Sequence, residues 1–200
     1  MIKKSLLVGL AGVLCSGGLL AQPTAERLQL CAACHGPNGQ STIAENPKIA
    51  SLQARYFAQQ LRDFKSGKRK APAMQAALAD VDEKEFDLLA THFSQQKPVT
   101  PGQGDPKLLP KGKEIFMEGI VGSAVPACAG CHKDDGTGTN KYPRLAGQHP
   151  AYVAQQMLAY KNGSRNNDDR GVMRAVAERM NEAEIRAVAE FIVTMKGDEE

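Results

Sequence analysis

Cys31-Ala32-Ala33-Cys34-His35 is answered 97 residues later by Cys128-Ala129-Gly130-Cys131-His132, and this repeated stretch decides how the whole chain is read. The echo extends well beyond it. Pro47-Lys48-Ile49-Ala50 matches Pro143-Arg144-Leu145-Ala146, and Tyr56-Phe57-Ala58-Gln59-Gln60 matches Tyr152-Val153-Ala154-Gln155-Gln156, both at an offset of 96. Lys65-Ser66-Gly67 matches Lys161-Asn162-Gly163, and Arg69 matches Arg165; further on the offset is 99, pairing Met74 with Met173 and Phe86 with Ile185. Self-similarity at a fixed period marks a duplicated structural unit. Between the copies, Gln95 to Pro110 carries Pro98, Pro101, Gly102, Gly104, Pro106 and Pro110, a run that neither continues a helix nor fits a central strand. The reading divides the chain into residues 22–96, a linker at 97–106, and residues 107–200.

Within each copy the apolar residues follow a helical period. Phe57, Leu61 and Phe64, and likewise Val153, Met157 and Tyr160, fall at i, i+4, i+7, with Gly67 or Gly163 placed to stop the helix. Phe86, Leu89, Ala90 and Phe93 are matched by Ile185, Val188, Ala189 and Ile192 as the face of a closing helix. A shorter helix is predicted to lead into each cysteine pair, over Thr24 to Leu30 and over Lys113 to Ile120. No alternating strand pattern stands out, so each copy is predicted to be a small all-α domain with much loop.

Composition narrows the function. Of 200 residues, 42% are hydrophobic and 24% charged, as in ordinary globular chains, but aromatics are 5% and tryptophan is absent. Two cores built from such a chain are small and short of large apolar side chains, which calls for something other than polypeptide to fill them. The formal charge of +3, with basic and acidic residues interspersed, excludes a nucleic-acid binder. At the N-terminus, Lys3 and Lys4 precede an apolar run from Leu6 to Leu20, and Leu20-Ala21-Gln22 offers a cleavage point. Residues 1–21 therefore read as a cleaved signal peptide, with export to an oxidising compartment. Cys15 leaves with it, and the remaining four of five cysteines all lie in the two motifs.

In an oxidising compartment four cysteines ordinarily suggest disulfides, but Cys-x-x-Cys-His is the attachment signature of c-type haem. Cys31 and Cys34, and Cys128 and Cys131, are expected to add to the vinyl groups of one haem each, with His35 and His132 under the irons. A zinc site would have to join two repeats that look independently folded and would leave both histidines unexplained. A redox dithiol lacks its strand–helix context. A sixth ligand is expected from methionine, and repeat symmetry selects Met74 and Met173, each 12 residues before the first anchor of its last helix and each in an irregular stretch. Met117, Met157, Met180 and Met195 read as core fillers, with Met180 the local rival of Met173. His92 and His149 do not repeat and read as satisfied polar residues. The carbonyls of Pro47 and Pro143 are placed to accept the Nδ1 protons of His35 and His132. Two haem c groups would also supply the missing core, so the chain is expected to fold poorly without them.

The two Cys-x-x-Cys-His motifs, Cys-His-Gly-Pro-Asn-Gly at 34–39, Pro-Arg-Leu-Ala-Gly-Gln at 143–148, the Tyr-x-x-Gln-Gln helices and the two methionines together resemble the dihaem cytochromes c of the cytochrome c4 type, over essentially the whole mature chain. The resemblance implies two tandem class I cytochrome c domains packed about an approximate twofold axis. It also implies His35 and Met74 on one iron, His132 and Met173 on the other, and no catalytic residues. It further implies a periplasmic, sometimes loosely membrane-associated carrier of electrons from a quinol–cytochrome c oxidoreductase-type donor to a terminal oxidase-type acceptor, loaded by the cytochrome c maturation machinery. The alternative is a dihaem subunit of a periplasmic dehydrogenase such as a sulfide-oxidising flavoprotein. A peroxidase or nitrite-reducing haem enzyme would need an open iron site, against which the two methionines stand. The copies depart from each other at Lys133-Asp134, where Gly36-Pro37 follows the first motif, and at Ser51-Leu52-Gln53 against Gly147-Gln148-His149.

Overall fold

The computed structural model describes residues 22–197, and the signal-peptide reading of residues 1–21 lies outside them. The described residues are helical, with a single isolated bridge pair and no strand. Among them no helix is long and apolar enough to cross a membrane.

The first copy opens with α1 (Ala25–His35), whose first turn is capped by the Thr24 hydroxyl accepting from the Arg27 N–H at 3.3 Å. Gly36 ends it at φ 73°. Then come α2 (Ala54–Lys65), the short α3 (Pro72–Ala77) begun by proline, and α4 (Phe86–Ser94), entered through a reciprocal cap between Asp82 and Glu85. Helix α2 buries Phe57, Leu61 and Phe64 against α4, where Phe93 meets Phe57 edge-on at 5.7 Å. The second copy contains α5 (Leu109–Glu118), one turn of α6 (Ala129–His132), α7 (Pro150–Lys161), α8 (Val172–Glu178) and α9 (Glu182–Ile192). Helix α9 packs on α5 and α7, and Gly112 lets α5 lie directly against the Ala187 carbonyl. Each copy has its own apolar cluster: Ile49, Leu61, Phe86 and Phe93 belong to the first, and Ile115, Phe116, Val188 and Met180 to the second.

The duplication is exact in backbone terms for α2 and α7, which are offset by 96 residues at both ends. It breaks at the approach to the cysteines. In the first copy α1 runs unbroken through Cys31, Cys34 and His35, further than the expected Thr24 to Leu30. In the second, α5 stops at Glu118, so the predicted helix from Lys113 to Ile120 does not lead into Cys128. Gly119 takes φ 80°, and the chain detours through a loop pinned by Ile120 N–H to the Val125 carbonyl at 2.9 Å and the reverse bond at 3.1 Å. Only Gly tolerates that turn beside the Val125 carbonyl.

Met74 and Met173 also differ from expectation: they sit on α3 and α8, not in irregular chain. Pro72 and the left-handed Gly171 start these helices just after the stops at Gly67 and Gly163. Pro110, counted with the breakers, lies in the first turn of α5, where its missing N–H costs nothing. The inter-copy stretch is laid along the second copy: Val99 is buried, and the Gly102 N–H donates to the Val193 carbonyl at 2.8 Å.

Candidate functional site

Both histidines of the repeated motif are buried and held identically. His35 Nδ1 donates to the Pro47 carbonyl at 2.8 Å, and His132 Nδ1 to the Pro143 carbonyl at 2.8 Å. A carbonyl only accepts, so the proton sits on Nδ1 and leaves Nε2 with a lone pair for a metal. Burial holds both imidazoles below their ordinary pKa, with the proline carbonyls pulling the other way, which favours the neutral, ligating form. None of the four motif cysteines is bridged to another cysteine. Burial raises Cys31 and pushes Cys128 up to about 11, the reverse of the low-pKa thiol that a redox dithiol needs. Among the described residues no three His, Cys, Asp or Glu side chains converge as a metal site requires, so the two cysteine pairs do not meet around one zinc.

What the two motifs share is a cavity of about 1370 Å³ that runs continuously from one copy to the other. It exceeds the range of about 300–1,000 Å³ usual for a single small ligand. Cys31, Cys34, His35 and Met74 line it on one side, and Cys128, Cys131, His132 and Met173 on the other. Phe57, Leu61 and Phe64 supply apolar wall in the first copy, Val153, Val176 and Val188 in the second. Both Met74 and Met173 are half-buried. Met180 also reaches the wall but is 1% exposed, sealed in the core cluster; Met157 packs against that cluster, Met195 is buried and Met117 is exposed. His92 and His149 do not line the cavity: His92 pairs with Gln96, and His149 Nε2 donates to the Ser41 carbonyl of the other copy at 2.9 Å.

Where the copies meet, two buried arginines face each other's tyrosines. Arg69 donates to the Tyr152 hydroxyl at 2.9 Å and to Gln156 Oε1 at 2.8 Å; Arg165 donates to the Tyr56 hydroxyl at 3.1 Å and to Gln60 Oε1 at 3.3 Å. Each guanidinium also stacks on an aromatic of its own copy, Arg69 over Phe64 at 4.5 Å and Arg165 over Tyr160 at 4.4 Å. Burial would raise the Tyr152 hydroxyl, but the two guanidiniums outweigh it and hold the hydroxyl below its ordinary value. Among the described residues neither arginine forms an ion pair with a carboxylate. Buried charge is normally paired, so two cations lining this cavity without protein counter-ions call for anionic groups on whatever fills it.

Haem fits these features together. It needs unbridged thiols, a neutral imidazole with an unprotonated Nε2, an apolar cavity, and cations for its propionates, and both copies provide all four. The arginine–tyrosine–glutamine cluster and the boundary residues Gln53 and Gln148 were not singled out for a role from sequence. The signal was present for the first group, because Tyr56, Gln60 and Arg69 all repeat as Tyr152, Gln156 and Arg165.

The chain matches the cytochrome c family over residues 26–92 and again over 109–196. It is 34% identical over 195 residues to the cytochrome c4 of Pseudomonas aeruginosa, covering 96% of each chain. It is 35% identical over 170 residues to the thiosulfate dehydrogenase electron acceptor of Thiomonas intermedia, covering 81% of this chain and 76% of that one. Among solved structures it resembles reduced recombinant cytochrome c4 from Pseudomonas stutzeri with a TM-score of 0.81 and 33% identity, over 88% of this chain and 100% of that one.

Proposed function

The chain belongs to the cytochrome c family, in its dihaem cytochrome c4 branch, and on that premise we propose that it is a periplasmic carrier passing electrons from a quinol-oxidising complex to a terminal oxidase or another acceptor. It is an electron-transfer protein with two covalently bound haem c groups, not an enzyme. Each haem supplies one-electron ferrous–ferric chemistry. The protein's part is to tether, ligate, shield and tune. In this reading Cys31 and Cys34 tether the first haem and Cys128 and Cys131 the second. His35 with Met74, and His132 with Met173, hold the two irons. The Pro47 and Pro143 carbonyls fix the imidazole rings and strengthen them as donors. Met74 and Met173, as thioether ligands, would raise the potentials and keep outside ligands from the irons. Arg69 and Arg165 neutralise carboxylates held between the copies. The functional units are residues 22–96 and 107–200, joined by 97–106, after removal of a signal peptide at 1–21.

The observation that carries this reading is the doubled set of motif cysteines, carbonyl-held histidine and methionine around one continuous cavity. A reductive titration tests it: the purified protein takes up two electrons per chain and, when reduced, binds no carbon monoxide. Carbon monoxide uptake by either haem would instead indicate an open iron site.

The likeness to a thiosulfate dehydrogenase electron acceptor favours a second reading, in which the donor is a periplasmic dehydrogenase. Purification from the native membrane and periplasm at low ionic strength separates the two, because a dedicated subunit brings its dehydrogenase with it and a free carrier does not.

A further inference from the structure

The peptide that holds each motif histidine is itself held by the other copy. The Pro47–Lys48 peptide accepts from His35 Nδ1 through its carbonyl at 2.8 Å, and its N–H, on Lys48, donates to Gln148 Oε1 at 3.0 Å. The Pro143–Arg144 peptide accepts from His132 Nδ1 at 2.8 Å, and its N–H, on Arg144, donates to Gln53 Oε1 at 2.8 Å. Each chain of bonds thus runs from an imidazole through one amide plane to a glutamine across the domain boundary. Both glutamines are anchored at their other end, Gln148 Nε2 to the Lys48 carbonyl at 2.9 Å and Gln53 Nε2 to the Thr137 carbonyl.

Inheritance from the duplication does not account for this. In the repeat register Gln53 corresponds to His149, and Gln148 corresponds to Leu52. Two different positions have arrived at the same contact. His149 keeps only the other half of Gln53's work, bonding a backbone carbonyl of the opposite copy, that of Ser41, as Gln53 Nε2 bonds that of Thr137.

We propose that Gln53 and Gln148 are positioning residues acting across the boundary, Gln148 on the iron ligand His35 and Gln53 on the iron ligand His132, so that each copy sets the reduction potential of the other copy's haem. An amide whose N–H is bonded carries more negative charge on its carbonyl oxygen, because bonds in a chain polarise one another. The stronger acceptor draws the Nδ1 proton and makes the imidazole a better donor, which favours ferric iron and lowers the potential. Separating the copies, or shifting them against each other, therefore raises both potentials by this route.

The proposal rests on His35 and His132 being the iron ligands, and the test separates the two claims. Optical and NMR spectra of the unaltered protein first establish histidine ligation. Gln53→Met and Gln148→Met, which keep length and remove the hydrogen bonds, are then titrated with each haem followed by its own resonances. Gln53→Met raises the ferrous-to-ferric ratio of the haem on His132 about threefold at a fixed ambient potential, roughly 28 mV for one electron. The haem on His35 stays in place, and the His132 Nδ1 proton moves upfield in the ferrous protein as its bond weakens. Gln148→Met gives the converse. A merely structural role predicts something else: either variant loosens the same boundary, admits water to both haems and moves both potentials together, or moves neither. Either of those outcomes overturns the proposal while leaving the ligand assignment intact.

Discussion

The Arg69 guanidinium crosses the boundary to the Tyr152 hydroxyl at 2.9 Å, and Arg165 returns the contact to Tyr56 at 3.1 Å, so that two buried cations sit where the copies meet. The ferric state of a haem carries one more positive charge than the ferrous state, and a nearby buried cation disfavours it. Arg69→Met or Arg165→Met is therefore expected to lower the reduction potentials, by on the order of 1 kcal/mol per electron at an effective dielectric near 20. Spectroelectrochemical titration measures this; potentials unchanged in both variants would mean that the arginines lie outside the electrostatic reach of the redox groups.

Replacing the methionines probes the sixth position. Met74→Leu is expected to lower the potential of the haem on His35 and to open it to carbon monoxide and cyanide, with Met173→Leu doing the same to the haem on His132. Met180→Leu should leave both spectra as they are, because Met180 is 1% exposed and packed in the core, and a volume-conserving swap there costs less than about 1.5 kcal/mol. Ligand-binding difference spectra of the three variants check the assignment; carbon monoxide binding in Met180→Leu but not Met173→Leu would transfer the role.

Much of the fold is legible in the sequence, and for identifiable reasons. The cysteine–histidine motifs and the faces of α2, α4, α7 and α9 depend on spacing within a segment, which sequence displays directly. A helix covers most of Lys113 to Ile120, as α5, but the detour after Gly119 that parts it from Cys128 depends on a bridge between Ile120 and Val125 that no local pattern announces. Met74 and Met173 lie on helices of six and seven residues, too short to show a period in the sequence. The boundary cluster was visible only as repetition. Tyr56, Gln60 and Arg69 recur, but nothing in one copy says that their partners lie in the other.

Lys133 occupies backbone that its counterpart Gly36 takes without cost: φ 64° and ψ 159°, against 73° and 165°. That region is almost reserved for glycine. Lys133→Gly is expected to stabilise the protein by about 1 kcal/mol, with no change in the optical spectrum. Thermal or denaturant unfolding measures it, and an unchanged or lowered midpoint would show that the surroundings relieve the strain.

The domain contact should weaken in mild acid through His149. Its pKa is lowered by burial first and by Lys48 second, against weaker raising contributions from the Ser41 carbonyl and Glu45. With the folded value depressed, the unfolded chain takes up the proton first. The stability from this group is therefore full above the unfolded value of about 6.5 and is lost as pH falls through the folded value. His149→Gln, which copies Gln53 at the corresponding position, should flatten the loss between pH 7.5 and pH 5.5. An unfolding midpoint with the same pH slope in both proteins would assign the dependence to other groups.

Each iron is assigned one histidine and one methionine, both from its own copy. The far-red absorption of the ferric protein, with haem quantified per chain, tests it most directly through the weak methionine-to-iron charge-transfer band. Two haems per chain and two equivalents of the band are expected, with one equivalent lost in Met74→Leu and one in Met173→Leu. A band of one equivalent or none in the unaltered protein would contradict it, leaving at least one iron with another ligand or an open position.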